Sequence, residues 1–185
     1  MFIQTESTPN PATLKFVPGK PVMGEGSLDF PDREAAAQSP LAQRLFAVEG
    51  VAGVFLGPDF ISVTKAGGDW QHLKPALLGA IMEHYQSGRP VLEDGAARAD
   101  HAAHAPEGAE AEIVDQIKEL LDTRVRPAVA QDGGDITFHG FEDGIVYLHL
   151  KGSCSGCPSS TMTLKNGIEN MLRHYIPEVR EVRPV

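Results

Sequence analysis

Polar and apolar residues alternate at the start of the chain, MFIQTESTPNPATLKF. This period of two predicts strands over Phe2–Glu6 and Ala12–Val17, joined by the turn-rich STPNP. Ser39 followed by Pro40 is an N-cap with proline at the first helical position, so LAQRLFAV predicts a helix, which Gly50 ends. VAGVFLGPDFISVTK predicts a hairpin about Gly57-Pro58-Asp59. Leu73, Leu77, Leu78, Ile81, Met82 and Tyr85 then fall at helical spacing. Pro75 is expected in the first turn of that helix, because deeper inside it would remove a hydrogen bond.

The pattern lapses between Tyr85 and Glu110, where QSGRPVLEDGAARADHAAHAPEGAE is rich in Gly, Ala, Pro and charge. Residues 89–109 therefore read as a flexible linker with an r.m.s. span of roughly 25 Å, between domains at 1–88 and 110–185. Past it, Ile113, Ile117, Leu120, Leu121 and Val125 mark one helical face, and Pro127 is expected to kink or end that helix. Asp132-Gly133-Gly134-Asp135 is a turn signal. Strands are predicted over Ile136–His139 and Ile145–Leu150 about Glu142-Asp143-Gly144. After GSCSGCPSS comes a helix marked by Leu164, Ile168, Met171, Leu172 and Tyr175, ended by Pro177, and a last strand over Val179–Val182. The expected class is α/β in the α+β sense, with two small domains, each a small sheet packed with helices. The order in the second is α-β-β-α-β, its last two strands joined by a right-handed crossover.

Composition narrows the function. Hydrophobic residues are 42% and charged residues 22% of 185, ordinary for a soluble globular protein. No apolar run approaches the ~20 residues that span a bilayer, so no membrane partner is expected. The first residues have neither the basic and apolar regions of a secretory signal nor the Arg-rich, acid-poor character of a transit peptide. The expectation is a cytoplasmic, bacterial-type chain, or a mitochondrial matrix protein if this is a mature eukaryotic form. The net charge of −9, with Lys and Arg scattered among acids, argues against a nucleic-acid partner.

The two cysteines, Cys154 and Cys157, are too close in sequence to staple distant elements. They indicate a functional thiol pair in a reducing compartment. They fall between a strand and a helix, where Gly152 and Gly156 allow a tight turn and Pro158 suits a first helical turn. Cys157 is thus expected beside the helix N-terminus, whose dipole lowers a thiol pKa. Four uses fit such a pair. Burial as two small apolar residues is disfavoured by the surrounding Gly and Ser. Structural zinc wants four ligands, so it implies a zinc-bridged dimer. A dithiol–disulfide oxidoreductase also places CxxC at a strand-to-helix junction, but no Trp precedes Cys154 and no strand–helix unit precedes its strand. An iron–sulfur cluster usually takes four thiolates, which two chains about a two-fold axis supply.

Other candidates carry blander readings. His101 and His104 read as solvated linker residues rather than metal ligands, and His139 and His149 as sheet-surface residues. Asp132 and Asp135 read as turn formers, and Trp70 and Phe55 as core. Lys151, just before the cysteines, is a candidate for softening a cluster's negative charge. No Ser/His/Asp arrangement, phosphate loop or nucleotide fingerprint is present.

QDGGDITFHGFEDGIVYLHLKGSCSGCPSSTMTLKNGIENML resembles the C-terminal domain of the NifU/Nfu family. The shared pattern is DGGD, strand, Gly turn, strand, G-x-C-x-x-C, then S-x-x-T-L-x-x-G-I and a helix. MFIQTESTPNPATLKF, SPLAQRLF, GVFLGPDFISVTK and WQHLKP resemble the Nfu N-terminal domain. The resemblance implies a late-acting iron–sulfur cluster carrier, not an enzyme, that hands clusters to apo iron–sulfur proteins and receives them from an upstream donor. The family's cysteine motif maps onto Cys154 and Cys157. It favours [4Fe–4S], shared by two chains in a homodimer formed on cluster binding. The scaffold and ferredoxin-like cysteines of a complete NifU are absent, so direct assembly from a desulfurase is not expected. The N-terminal domain is expected to recognise partners.

Overall fold

The computed structural model describes residues 1–93, 108–154 and 158–185, with side chains for all of these except 109 and 158–160. His101, His104, Cys157 and positions 94–107 of the expected linker lie outside the described residues. The chain divides into two compact units, Met1–Asp100 and His101–Val185.

The first unit contains β1 (Gln4–Ser7), β2 (Thr13–Val17), β3 (Leu28–Phe30), α1 (Pro40–Phe46), β4 (Val51–Leu56), β5 (Ile61–Lys65) and α2 (Trp70–Ser87). Its strands form an antiparallel sheet in the order β1-β2-β5-β4-β3. One sheet face presents Phe16, Phe30, Leu56 and Ile61 to Leu41 and Leu45 of α1 and Leu77 and Ile81 of α2, all fully buried. The Ser39 cap forms as expected: its hydroxyl accepts from the Ala42 N–H at 3.1 Å. The same hydroxyl donates to the Val91 carbonyl at 2.6 Å, and the Glu93 N–H donates to the Gln38 carbonyl at 3.0 Å. Residues 91–93, inside the stretch read as linker, are therefore fastened to this unit.

Pro75 departs from expectation. It lies in the interior of α2 rather than its first turn, so one intrahelical bond is forgone. Tertiary contacts fix where the helix starts instead. The Trp70 indole N–H donates to the Pro11 carbonyl at 3.1 Å, and the Lys65 ammonium sits 5.4 Å from its ring centroid. Starting the helix at Trp70 also carries Leu73 into the core in line with Leu77 and Ile81. Phe55 is buried and Trp70 packs half-buried against the core, as expected of both.

The second unit contains α3 (Ala109–Leu120), a widened π-type turn (Leu121–Val125), α4 (Arg126–Gln131), β6 (Gly134–Glu142), β7 (Ile145–Gly152), α5 (Pro158–Tyr175) and β8 (Glu181–Pro184). β7 is central, antiparallel to β6 and parallel to β8. Pro127 does not end the helix. The widened turn precedes it and places it in the first turn of α4, where its missing N–H matters least. Asp143 and Gly144, at φ of 51° and 78°, make the two-residue hairpin loop between β6 and β7. β8 begins two residues later than expected, because the Val179 N–H turns back to the Ile176 carbonyl. Ile117, Leu121, Ile136, Val146, Leu148, Ile168 and Leu172 form the core. His139 and His149 are exposed on the strands. Among the described residues no helix is long and apolar enough to cross a membrane.

Candidate metal centre at the Cys154 turn

Two turns meet at one end of the small sheet. The β6–β7 ladder closes with Gly134 opposite Gly152. Gly152, at φ 66°, swings the chain out of β7 and into Ser153 and Cys154. The Asp132–Asp135 turn lies against that exit. The Ser153 N–H donates to the Gly133 carbonyl at 3.2 Å, and the Ser153 hydroxyl donates to the Asp132 carbonyl. Only glycine fits at 134: a Cβ there would lie 2.5 Å from Cys154 Sγ and 2.9 Å from the Lys151 carbonyl. From the other side the Thr161 hydroxyl of α5 donates to the Cys154 carbonyl at 3.2 Å.

Cys154 is consequently 7% exposed and part of the core of the second unit. This departs from the expectation that burial of the pair is disfavoured; Cys157, the cysteine expected beside the helix end, lies outside the described residues. Cys154 sits at a strand end beneath the glycine turn. Burial pushes its thiol up to about 11; the Asp132 and Asp135 carboxylates add to the rise, and a hydrogen bond with Ser153 works against it. At neutral pH the residue is a thiol, and taking up a metal displaces its proton.

Asp135 has a role that its turn position does not reveal. The Arg126 guanidinium grips it with two bonds, Nε to Oδ1 and Nη2 to Oδ2, each 2.9 Å. Arg126 Nη1 reaches Asp122 Oδ1 at 3.1 Å, and the Ile136 N–H donates to Asp135 Oδ1 at 2.8 Å. These carboxylates hold Arg126 firmly protonated. Lys151 faces Asp135 across the ladder. The structure thus gathers Cys154, Asp132, Asp135 and Lys151 around one turn and leaves His139 and His149 on the open strands. Among the described residues, no three His, Cys, Asp or Glu side chains converge as a metal-binding group.

Family models match both units: the Nfu/NifU scaffold protein N-terminal model over residues 3–88, and the NifU-like domain over 117–183. A human protein named NFU1 iron-sulfur cluster scaffold homolog, mitochondrial, is 54% identical over 187 residues, a match covering 100% of this chain and 72% of that one. The chain belongs to the Nfu/NifU family. NifU-like protein 5, mitochondrial, of Arabidopsis thaliana is also 54% identical, over 98% of this chain and 67% of its own. A solution NMR structure of a NifU-like protein from Saccharomyces cerevisiae is 26% identical over 51% of this chain and 86% of that one, with a TM-score of 0.46. In this Nfu chain the glycine-rich turn and the cysteine turn are two parts of one structure, although some twenty residues separate them.

Proposed function

We propose that this chain is an iron–sulfur cluster carrier, with Cys154 and Cys157 as its cluster ligands and the cluster as its cargo. The observation that carries the proposal is the cysteine turn itself. The chain's only two cysteines form a CxxC pair, and one of them is seated against Gly134, where no side chain fits. Close relatives named as iron-sulfur cluster scaffold proteins support the reading.

Each chain offers two thiolates, and a cubane cluster normally takes four. A second copy completes the set, so the cluster is shared by a homodimer, and the paired CxxC motifs with the family favour [4Fe–4S] as its type. Loading displaces the Cys154 proton. Release is ligand exchange with thiolates of an apo iron–sulfur protein, and the burial of Cys154 means that its turn opens for that exchange. No covalent turnover of a substrate is involved. The first domain, 1–88, recognises partners, and the tether, shortened to the stretch beyond Glu93 by the bonds that fasten residues 91–93, keeps the cluster domain, 110–185, close to whatever the first binds. The word mitochondrial in the relatives' names favours the matrix over the cytoplasm.

The rival oxidoreductase reading is weakened by the thiol. A cysteine held at about 11 is a poor nucleophile at neutral pH. Anaerobic incubation with iron and sulfide tests all three readings. A brown protein with iron and acid-labile sulfide supports the carrier. A colourless protein that reduces disulfides points to the oxidoreductase, and zinc alone to the zinc-bridged dimer.

A further inference from the structure

We propose that Arg126 is a positioning residue for the cysteine turn: through its two-pronged grip on Asp135 it fixes the backbone against which Cys154 is held. The inference rests on the carrier reading and adds to it a residue far from the CxxC motif.

The helix preceding the site is built to deliver this side chain. A π-type turn adds a residue to the helix and so rotates everything after it by about 100°. Such turns recur at functional sites. Here the turn spans Leu121–Val125 and Arg126 follows at once. The guanidinium then engages both oxygens of Asp135, whose side chain is 8% exposed, while its remaining arm takes Asp122 from within the turn. Asp135 is thereby fixed, and so are its neighbours. Gly134 abuts Cys154 Sγ, and the Gly133 and Asp132 carbonyls hold Ser153. The connection runs from Arg126 through one carboxylate to the three residues, Asp132, Gly133 and Gly134, that hold Ser153 and Cys154. A half-buried ion pair of this kind is weak grounds for net stability, so geometry is the better account of it. Lysine keeps the charge but lacks the planar fork that matches a carboxylate.

The test uses the full chain and three variants: Arg126→Met, Arg126→Lys and, as a destabilised control away from the turn, Ile117→Val. Two quantities are read at a temperature well below every unfolding midpoint. One is the rate of cluster loss to excess chelator. The other is hydrogen exchange at the Ser153 amide in cluster-free protein. Positioning predicts cluster loss about tenfold faster in both Arg126 variants, the low end of the usual penalty for outer-shell partners, and faster exchange at Ser153. Ile117→Val should leave both near wild type. Wild-type behaviour of Arg126→Lys would reduce the role to charge, and an equal effect in Ile117→Val would reduce it to stability; either overturns the proposal. Unchanged Ser153 exchange in Arg126→Met overturns it as well. Failure of the wild type to take up iron and sulfide would instead sink the carrier reading, and the exchange measurement would still judge the grip on the turn.

Discussion

Gly134 and Cys154 touch so closely that residue 134 has no room for a side chain: a Cβ would stand 2.5 Å from the sulfur. Gly134→Ala should therefore displace the cysteine turn. We expect loss of stable cluster binding and destabilisation of about 1–3 kcal/mol, as for an overpacked core site. Gly140→Ala on the same strand, where a Cβ meets nothing within 4 Å, should preserve both. Iron content and urea unfolding of the two variants check this, and equal behaviour of the pair would contradict the close packing.

Substituting Cys154 should separate its two roles. Cys154→Ser and Cys154→Ala both remove a soft thiolate that iron–sulfur clusters need, so each should lose iron and sulfide. Cys154 is also a core residue. The serine hydroxyl, buried in the same place, should lower stability by about 1–3 kcal/mol unless it finds a partner, more than alanine does. Undiminished iron and sulfide in either variant would remove Cys154 from the site.

The raised thiol gives cluster-free protein a signature at alkaline pH. The unfolded thiol ionises near 9 and the folded one at about 11. Between those values the folded state binds more protons, so stability contributed by the buried neutral thiol is complete below about 9 and falls as pH rises towards 11. Unfolding midpoints measured across this range should drop more steeply for wild type than for Cys154→Ala. Parallel curves would show that Cys154 is not buried as described.

Ser39 both caps α1 and ties the chain beyond α2 back to it. Ser39→Ala should destabilise the first unit by about 1–2 kcal/mol, the upper range for an N-cap. It should also expose residues 91–93 to proteolysis. Limited digestion should show earlier cleavage there, with iron content unchanged.

Most elements were legible because their periods are strong and their punctuation is local. Ser39-Pro40 starts a helix, Asp143-Gly144 turns a hairpin, and Leu164 through Leu172 repeat at helical spacing. What escaped was tertiary. β3 is only three residues long and has no period to read. Pro75 entered a helix interior because Trp70 and Leu73 had contacts to make. Pro127 was absorbed by a π-type turn that hydrophobic spacing does not announce. At the site, the cysteine pair was visible as a motif, but the burial of Cys154 was not. It follows from a turn some twenty residues earlier crossing over it. The Arg126–Asp135 grip was equally hidden, since only the fold makes those residues neighbours.

Sharing of one cluster by two chains would fix a stoichiometry and a mass together, and a single sample gives both. One anaerobic sample, loaded with iron and sulfide, should be analysed by light scattering and for iron, sulfide and protein. We predict that cluster uptake assembles the chains into dimers, or even-numbered assemblies of them, with about four irons per two chains, on the four-thiolate rule. Chelation should undo that assembly. A monodisperse monomer holding a full and stable four-iron cluster would contradict the shared site.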